Sequence, residues 1–137
     1  MMNFETTLRV RYAETDKMGY VYYGNYAMYY EVGRVDMLRQ MGTSYRQLEE
    51  SGVMMPVVHM ECNYKRPAKY DDLLTIKTEV LHFTGTRVEF KYEVSNESGQ
   101  LLNIGRTTLV FIDSETYKPC KSPDWFTELI LTHFPMN

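Results

Sequence analysis

The stretch Asn25-Tyr26-Ala27-Met28-Tyr29-Tyr30-Glu31-Val32-Gly33-Arg34-Val35-Asp36-Met37-Leu38-Arg39-Gln40-Met41-Gly42 decides the fold. Tyr26, Tyr29, Tyr30, Gly33, Met37 and Met41 recur at the spacing of one helical face. Asn25 suits an N-cap, and Gly42 suits the left-handed position just past a helix end. Met28, Val32, Val35 and Leu38 add apolar surface on further faces. A helix apolar around most of its girth has to be wrapped by something.

The flanking sequence supplies the wrapping. Upstream, Phe4 to Tyr12 alternates: Phe4, Thr6, Leu8, Val10 and Tyr12 on one side, Glu5, Thr7, Arg9 and Arg11 on the other. That is the period of a half-buried strand, and Ala13 to Gly19 then reads as a polar turn. Downstream, a short helix over Ser44 to Ser51 precedes four strand-like runs: Val57–Tyr64, Leu73–Phe83, Arg87–Ser95 and Leu101–Ile112. Arg66-Pro67 stops the first run, and Asn96-Glu97-Ser98-Gly99 is a hairpin turn. Ser122-Pro123-Asp124, with Pro at the first helical position, opens an amphipathic helix reaching about His133. Strand, long helix, then an antiparallel run describes an α+β domain, one sheet curved around the helix. In the last run Leu101, Leu109 and Phe111 oppose Leu102, Ile104, Val110 and Ile112. Both sheet faces are therefore expected to be partly apolar, which predicts a homo-oligomer.

Composition bounds the function. A chain of 137 residues, 44% hydrophobic, fits one domain over 1–137 with one core. A net charge of -3 argues against a dedicated nucleic-acid binder, and 14% aromatic residues exclude a disordered chain. Cys62 and Cys120 form no CxxC and no zinc spacing, so neither a metal nor a cofactor is expected. The amino-terminal residues show no leader pattern, and no run approaches the ~18 apolar residues of a membrane span. A reduced, cytoplasmic protein is the expectation.

The chemistry concentrates in Arg11-Tyr12-Ala13-Glu14-Thr15-Asp16-Lys17-Met18-Gly19-Tyr20-Val21-Tyr22-Tyr23-Gly24-Asn25-Tyr26. Asp16 lies in the loop leaving the first strand, just ahead of a helix N-terminus. Free N–H groups there are suited to developing negative charge, so a carboxylate beside them can act as base or nucleophile. The same residues also fit a solvated turn in which Asp16 bonds its own backbone.

This segment resembles the 4-hydroxybenzoyl-CoA thioesterase branch of the hotdog-fold acyl-CoA thioesterases. The matching features are Tyr12, Thr15-Asp16, Met18-Gly19, Val21-Tyr22, Asn25-Tyr26 and Glu31…Arg34. Asn63-Tyr64…Pro67-Ala68 and Tyr70-Asp71-Asp72-Leu73-Leu74-Thr75-Ile76 match further on. The resemblance implies a hotdog fold, an antiparallel sheet around one long central helix, with dimers pairing into a homotetramer and sites between subunits. It implies hydrolysis of acyl-CoA to free acid and coenzyme A. Asp16 would be the catalytic carboxylate and the Tyr23 N–H the oxyanion donor, with Gly24 admitting another chain closely.

Other residues follow from the same reading. Tyr26 and His59 fall near the implied substrate pocket, and a hydrogen-bonded structural role fits His59 equally. Lys65, Arg66, Lys69 and Arg87 are candidates for the coenzyme A phosphates. Tyr22-Tyr23 with Met18, Met54, Met55 and Met60 would suit an apolar or aromatic acyl group, or a plain core. Glu31 is expected to pair with Arg34 at i,i+3, and Glu14 to be solvated. Two competing readings stand beside the hydrolase: a thioesterase acting on acyl carrier protein, and a non-catalytic module that binds acyl-CoA.

Overall fold

Alternation along the strands and one dominant helix set the architecture. Residues 4–136 are described here by a computed structural model; Met1 to Asn3, the start of the segment tested for a leader, and Asn137 lie outside the described residues. The elements are β1 (Phe4–Arg9), α1 (Tyr26–Gln40), α2 (Tyr45–Glu50), β2 (Val53–Met54), β3 (Val57–Tyr64), β4 (Leu73–Phe83), β5 (Arg87–Ser95), β6 (Leu101–Val110), β7 (Ile112–Asp113) and α3 (Asp124–His133). Five strands form one antiparallel sheet in the order β1-β4-β5-β6-β3. β2 and β7 form a separate small ladder.

The sheet's inner face packs on α1. Val88, Phe90, Tyr92 and Val94 of β5 are all buried, as are Leu74, Ile76, Thr78 and Val80 of β4. They meet Tyr29, Tyr30, Gly33 and Met37 of α1, buried in turn. Two glycines let the layers close. A Cβ on Gly33 would stand 2.6 Å from Thr78 Oγ1 and 2.8 Å from Ile76 Cγ2. A Cβ on Gly105 would stand 2.1 Å from Tyr30 Cζ, because the Tyr30 ring lies directly on the β6 backbone.

Several expectations change. The first strand ends at Arg9, not Tyr12, and Tyr12–Glu14 forms a 3₁₀ turn. Glu14 accepts from both the backbone and the guanidinium of Arg11, which turns the chain out of the sheet. A second 3₁₀ turn, Tyr23–Asn25, leads into α1, and Asn25 makes no side-chain cap. Its Nδ2 donates to the Glu14 carbonyl at 2.8 Å instead. Gly42 does take the left-handed conformation past the helix, φ +91°. Pro123 sits at the N-cap of α3 rather than at its first helical position.

The outer sheet face is mixed: half-buried Ile104 and Val110 share it with charged side chains. Lys91 lies 3.6 Å from Glu93 and 4.0 Å from Glu79, and Arg106 lies 3.4 Å from Glu89. These charged side chains come from β4, β5 and β6 together. Exposed apolar surface gathers at the edge strand β3, where Val57, Val58, Met60 and Tyr64 are all open to solvent.

Candidate active site

The loop from Arg11 to Tyr22 is shaped by pairing with the segment 68–70. Val21 N–H donates to the Ala68 carbonyl at 2.8 Å, and Tyr70 N–H to the Gly19 carbonyl at 3.2 Å. Gly19 takes φ +80°, a turn that disfavours any side chain. Within this frame Asp16 donates its N–H to the Tyr20 carbonyl at 2.8 Å and accepts the Gly19 N–H on its own carbonyl at 3.0 Å. Its Oδ1 accepts Met18 N–H at 2.9 Å and Tyr20 N–H at 3.3 Å. Asp16 thus makes the self-bonded turn. Oδ1 is tied down, while among the described residues Oδ2 accepts no hydrogen bond.

Asp16, Met18, Tyr23, Tyr26, Lys65 and Arg66 line one cleft of about 320 Å³, which Tyr64 closes on the sheet side. Tyr23 begins the helical segment that continues into α1, so its N–H has no intrahelical acceptor. Among the described residues it donates to no backbone carbonyl outside the helix either. Tyr64 Oη donates to the Tyr23 carbonyl at 3.0 Å, which fixes that first turn against β3. Tyr26 is buried, and burial pushes its phenol up to about 12, with the Cys62 thiol adding to the shift. It therefore stays a neutral donor at physiological pH. The N–H groups of Lys65 and Arg66 share the Leu102 carbonyl, at 2.8 and 3.0 Å, and leave two exposed cations at the cleft.

Other candidates lie elsewhere in this chain. A Cβ on Gly24 would stand 2.6 Å from the Tyr22 ring, so that glycine accommodates its own neighbour. Strand alternation puts His59 with Glu61 and Asn63 on the face away from Tyr64, and its Nε2 lies 3.5 Å from Glu61. Arg87 opens β5 opposite Val110, whereas Ser95 closes it opposite Leu101. That puts Arg87 roughly 25 Å along the sheet from the Lys65–Arg66 end. Lys69 bridges to Tyr20 by its backbone. Met54 and Met55 line a separate cavity of about 330 Å³ beside Tyr45, and Met60 lies on the open edge.

Glu14 and Arg34 depart from expectation. Glu14 is buried, bonded by Arg11 N–H (3.1 Å), Arg11 Nε (2.7 Å) and Tyr29 Oη (2.9 Å). Burial alone would raise its pKa; the Arg11 and Tyr29 donors outweigh that and hold it below the usual glutamate range. Arg34 turns inward to the Tyr45 and Tyr92 hydroxyls, at 3.3 and 3.5 Å, instead of pairing with exposed Glu31. Cys62, likewise, sits within hydrogen-bond reach of Tyr30 Oη (3.2 Å) and Asn103 Nδ2 (3.3 Å).

An antiparallel sheet wrapped on one long helix, with a carboxylate cleft at the helix entry, defines the class: a hotdog fold of the thioesterase type. The chain belongs to the thioesterase-like superfamily, whose family model matches residues 10–130. It is 35% identical over 120 residues to the acyl-CoA thioester hydrolase YbgC of Escherichia coli O157:H7, covering 88% of this chain and 90% of that protein. The acyl-CoA thioesterase YbgC of Haemophilus influenzae is 30% identical over 121 residues, 88% of each chain. The structure also resembles a DHNA-CoA thioesterase from Staphylococcus aureus, with a TM-score of 0.88 and 39% identity. That match covers 93% of this chain and 86% of the other.

Proposed function

We propose that the protein is an acyl-CoA thioesterase that releases a free acid and coenzyme A, with Asp16 as its catalytic carboxylate. One observation carries the reading: an oriented carboxylate, Asp16, and the residue that opens the helix, Tyr23, line a single, largely apolar cleft. The relatives' activities on acyl-CoA thioesters support it. With Oδ1 held by two N–H groups, Oδ2 either attacks the thioester carbonyl to give a mixed anhydride, which water then hydrolyses to the free acid and the Asp16 carboxylate, or takes a proton from an attacking water. The developing oxyanion turns to the Tyr23 N–H. Coenzyme A leaves as a thiolate, and a thiol pKa of about 8.5 removes the need for a strong general acid.

The acyl group would lie against Met18, Tyr23 and Tyr26, and the phosphates near Lys65 and Arg66. The cleft opens beside β3, whose outer edge is unpaired in the sheet order. A second copy pairing along that edge would cover Val58, Met60 and Tyr64 and complete the site; two such dimers would give a tetramer. The test is thiol release from a panel of acyl-CoA esters, followed with a thiol reagent. Turnover of at least one ester is expected. Tight binding of acyl-CoA without turnover would instead mark a binding module, and turnover of acyl carrier protein thioesters alone would move the substrate.

A further inference from the structure

We infer that Glu14 is a positioning residue, the knot that sets Asp16 against the Tyr23 N–H; the inference rests on the proposed role of Asp16. Its backbone carbonyl accepts Tyr22 N–H at 2.9 Å and Asn25 Nδ2 at 2.8 Å. Its carboxylate accepts Arg11 N–H and Arg11 Nε from the start of the loop, and Tyr29 Oη from α1. One residue thereby joins the strand exit, the catalytic loop and the first turns of the helix. Asp16 follows two residues later, and Tyr22 immediately precedes the oxyanion donor.

The carboxylate itself stays out of the chemistry. It is only 6% exposed, it does not line the cleft, and its two oxygens are already taken. Its surroundings are unequal in a useful way. Oε1 accepts Arg11 N–H and Tyr29 Oη, whereas Oε2 accepts only the Arg11 guanidinium. Gln at this position can keep both Oε1 bonds and sets an NH₂ donor against the guanidinium donor. The clamp breaks while the turn keeps its shape. Arg11 is largely exposed, with 74% of its side chain open, so Arg11→Ala breaks the same clamp from outside without touching the core.

The experiment is a double-mutant cycle of Glu14→Gln and Asp16→Asn, read as kcat, KM and the binding of an inert acyl-CoA thioether. Glu14→Gln is expected to lower kcat about tenfold or more with KM and thioether binding within about twofold, the mark of a loss confined to the transition state. Arg11→Ala should lower kcat in the same direction, and it keeps the test available even where Glu14→Gln does not fold. If Glu14 acts through Asp16, adding Glu14→Gln to Asp16→Asn changes the residual rate by less than about twofold. Losses that multiply instead would make Glu14 merely structural and overturn the inference. Full kcat in Glu14→Gln would overturn it while leaving Asp16 in place. Full kcat in Asp16→Asn would overturn the Asp16 assignment itself, and this inference with it.

Discussion

Gly105→Ala tests how tightly the helix is seated on the sheet. The added Cβ would fall 2.1 Å from Tyr30 Cζ and 2.2 Å from Tyr30 Oη. The ring has nowhere to retreat: it is stacked on Tyr92 with centroids 4.5 Å apart and planes 7° apart, and it is fully buried. Its hydroxyl also meets Asn103 Oδ1 and the Cys62 thiol. Overpacking of a filled core costs about 1–3 kcal/mol. Displacing the ring would also strip hydrogen bonds worth about 1 kcal/mol each. Together these give a destabilisation of about 3–5 kcal/mol. Urea unfolding at fixed protomer concentration should show a lowered midpoint with an unchanged slope. In a Tyr30→Leu background the phenol is gone, and Gly105→Ala should then cost less than about 1 kcal/mol. A Gly105→Ala protein as stable as wild type, or an equal cost in both backgrounds, would refute the reasoning.

Three further outcomes follow from the same geometry. Arg66→Ala should raise KM for acyl-CoA a fewfold with kcat nearly unchanged, since an exposed cation contributes about 0.2–1 kcal/mol, and the effect should shrink as salt is added; a loss of kcat at saturation would mean the phosphates lie elsewhere. Light scattering should give at least a dimer at micromolar concentration, and Met60→Lys on the open edge should shift the mass toward the protomer; a wild-type monomer would contradict the shared site. Glu14 has a folded pKa below its ordinary value of 4.5, so its stabilisation is complete above that pH and is lost as pH falls through the folded value. The melting temperatures of wild type and Glu14→Gln should therefore converge on acidification, and a constant gap down to the lowest pH would refute the assignment.

How much of this was legible in the sequence depends on the range of the interactions. β3, β4 and β5 fall on Val57–Tyr64, Leu73–Phe83 and Arg87–Ser95, the spans expected from sequence; in β4 and β5 the alternation marks them, because strand period is a local property. α1 was equally plain from its tyrosine and methionine spacing. What stayed hidden depends on distant partners. Glu14 reads as a polar loop residue until Tyr29, fifteen positions on, reaches back to it. Arg34 sits three residues from Glu31, yet the hydroxyls of Tyr45 and Tyr92 draw it inward. The charge on the outer face appears only when β4, β5 and β6 are set side by side, since Lys91 takes partners from two strands. Asp16, Tyr23, Tyr26, Lys65 and Arg66 line one cleft, whereas His59 and Arg87 face other parts of this chain.

The most direct measurement is hydrolysis of an accepted acyl-CoA by Asp16→Asn, made alongside its affinity for the corresponding thioether. Asn keeps an oxygen for the Met18 and Tyr20 N–H groups, so the loop should hold and the thioether Kd should stay within about twofold of wild type. What disappears is the negative charge and the proton acceptor, and kcat/KM should fall about a hundredfold or more. A variant that binds the thioether normally and keeps more than about a tenth of wild-type kcat/KM, a barrier change under ~1.4 kcal/mol, would contradict the role assigned to Asp16.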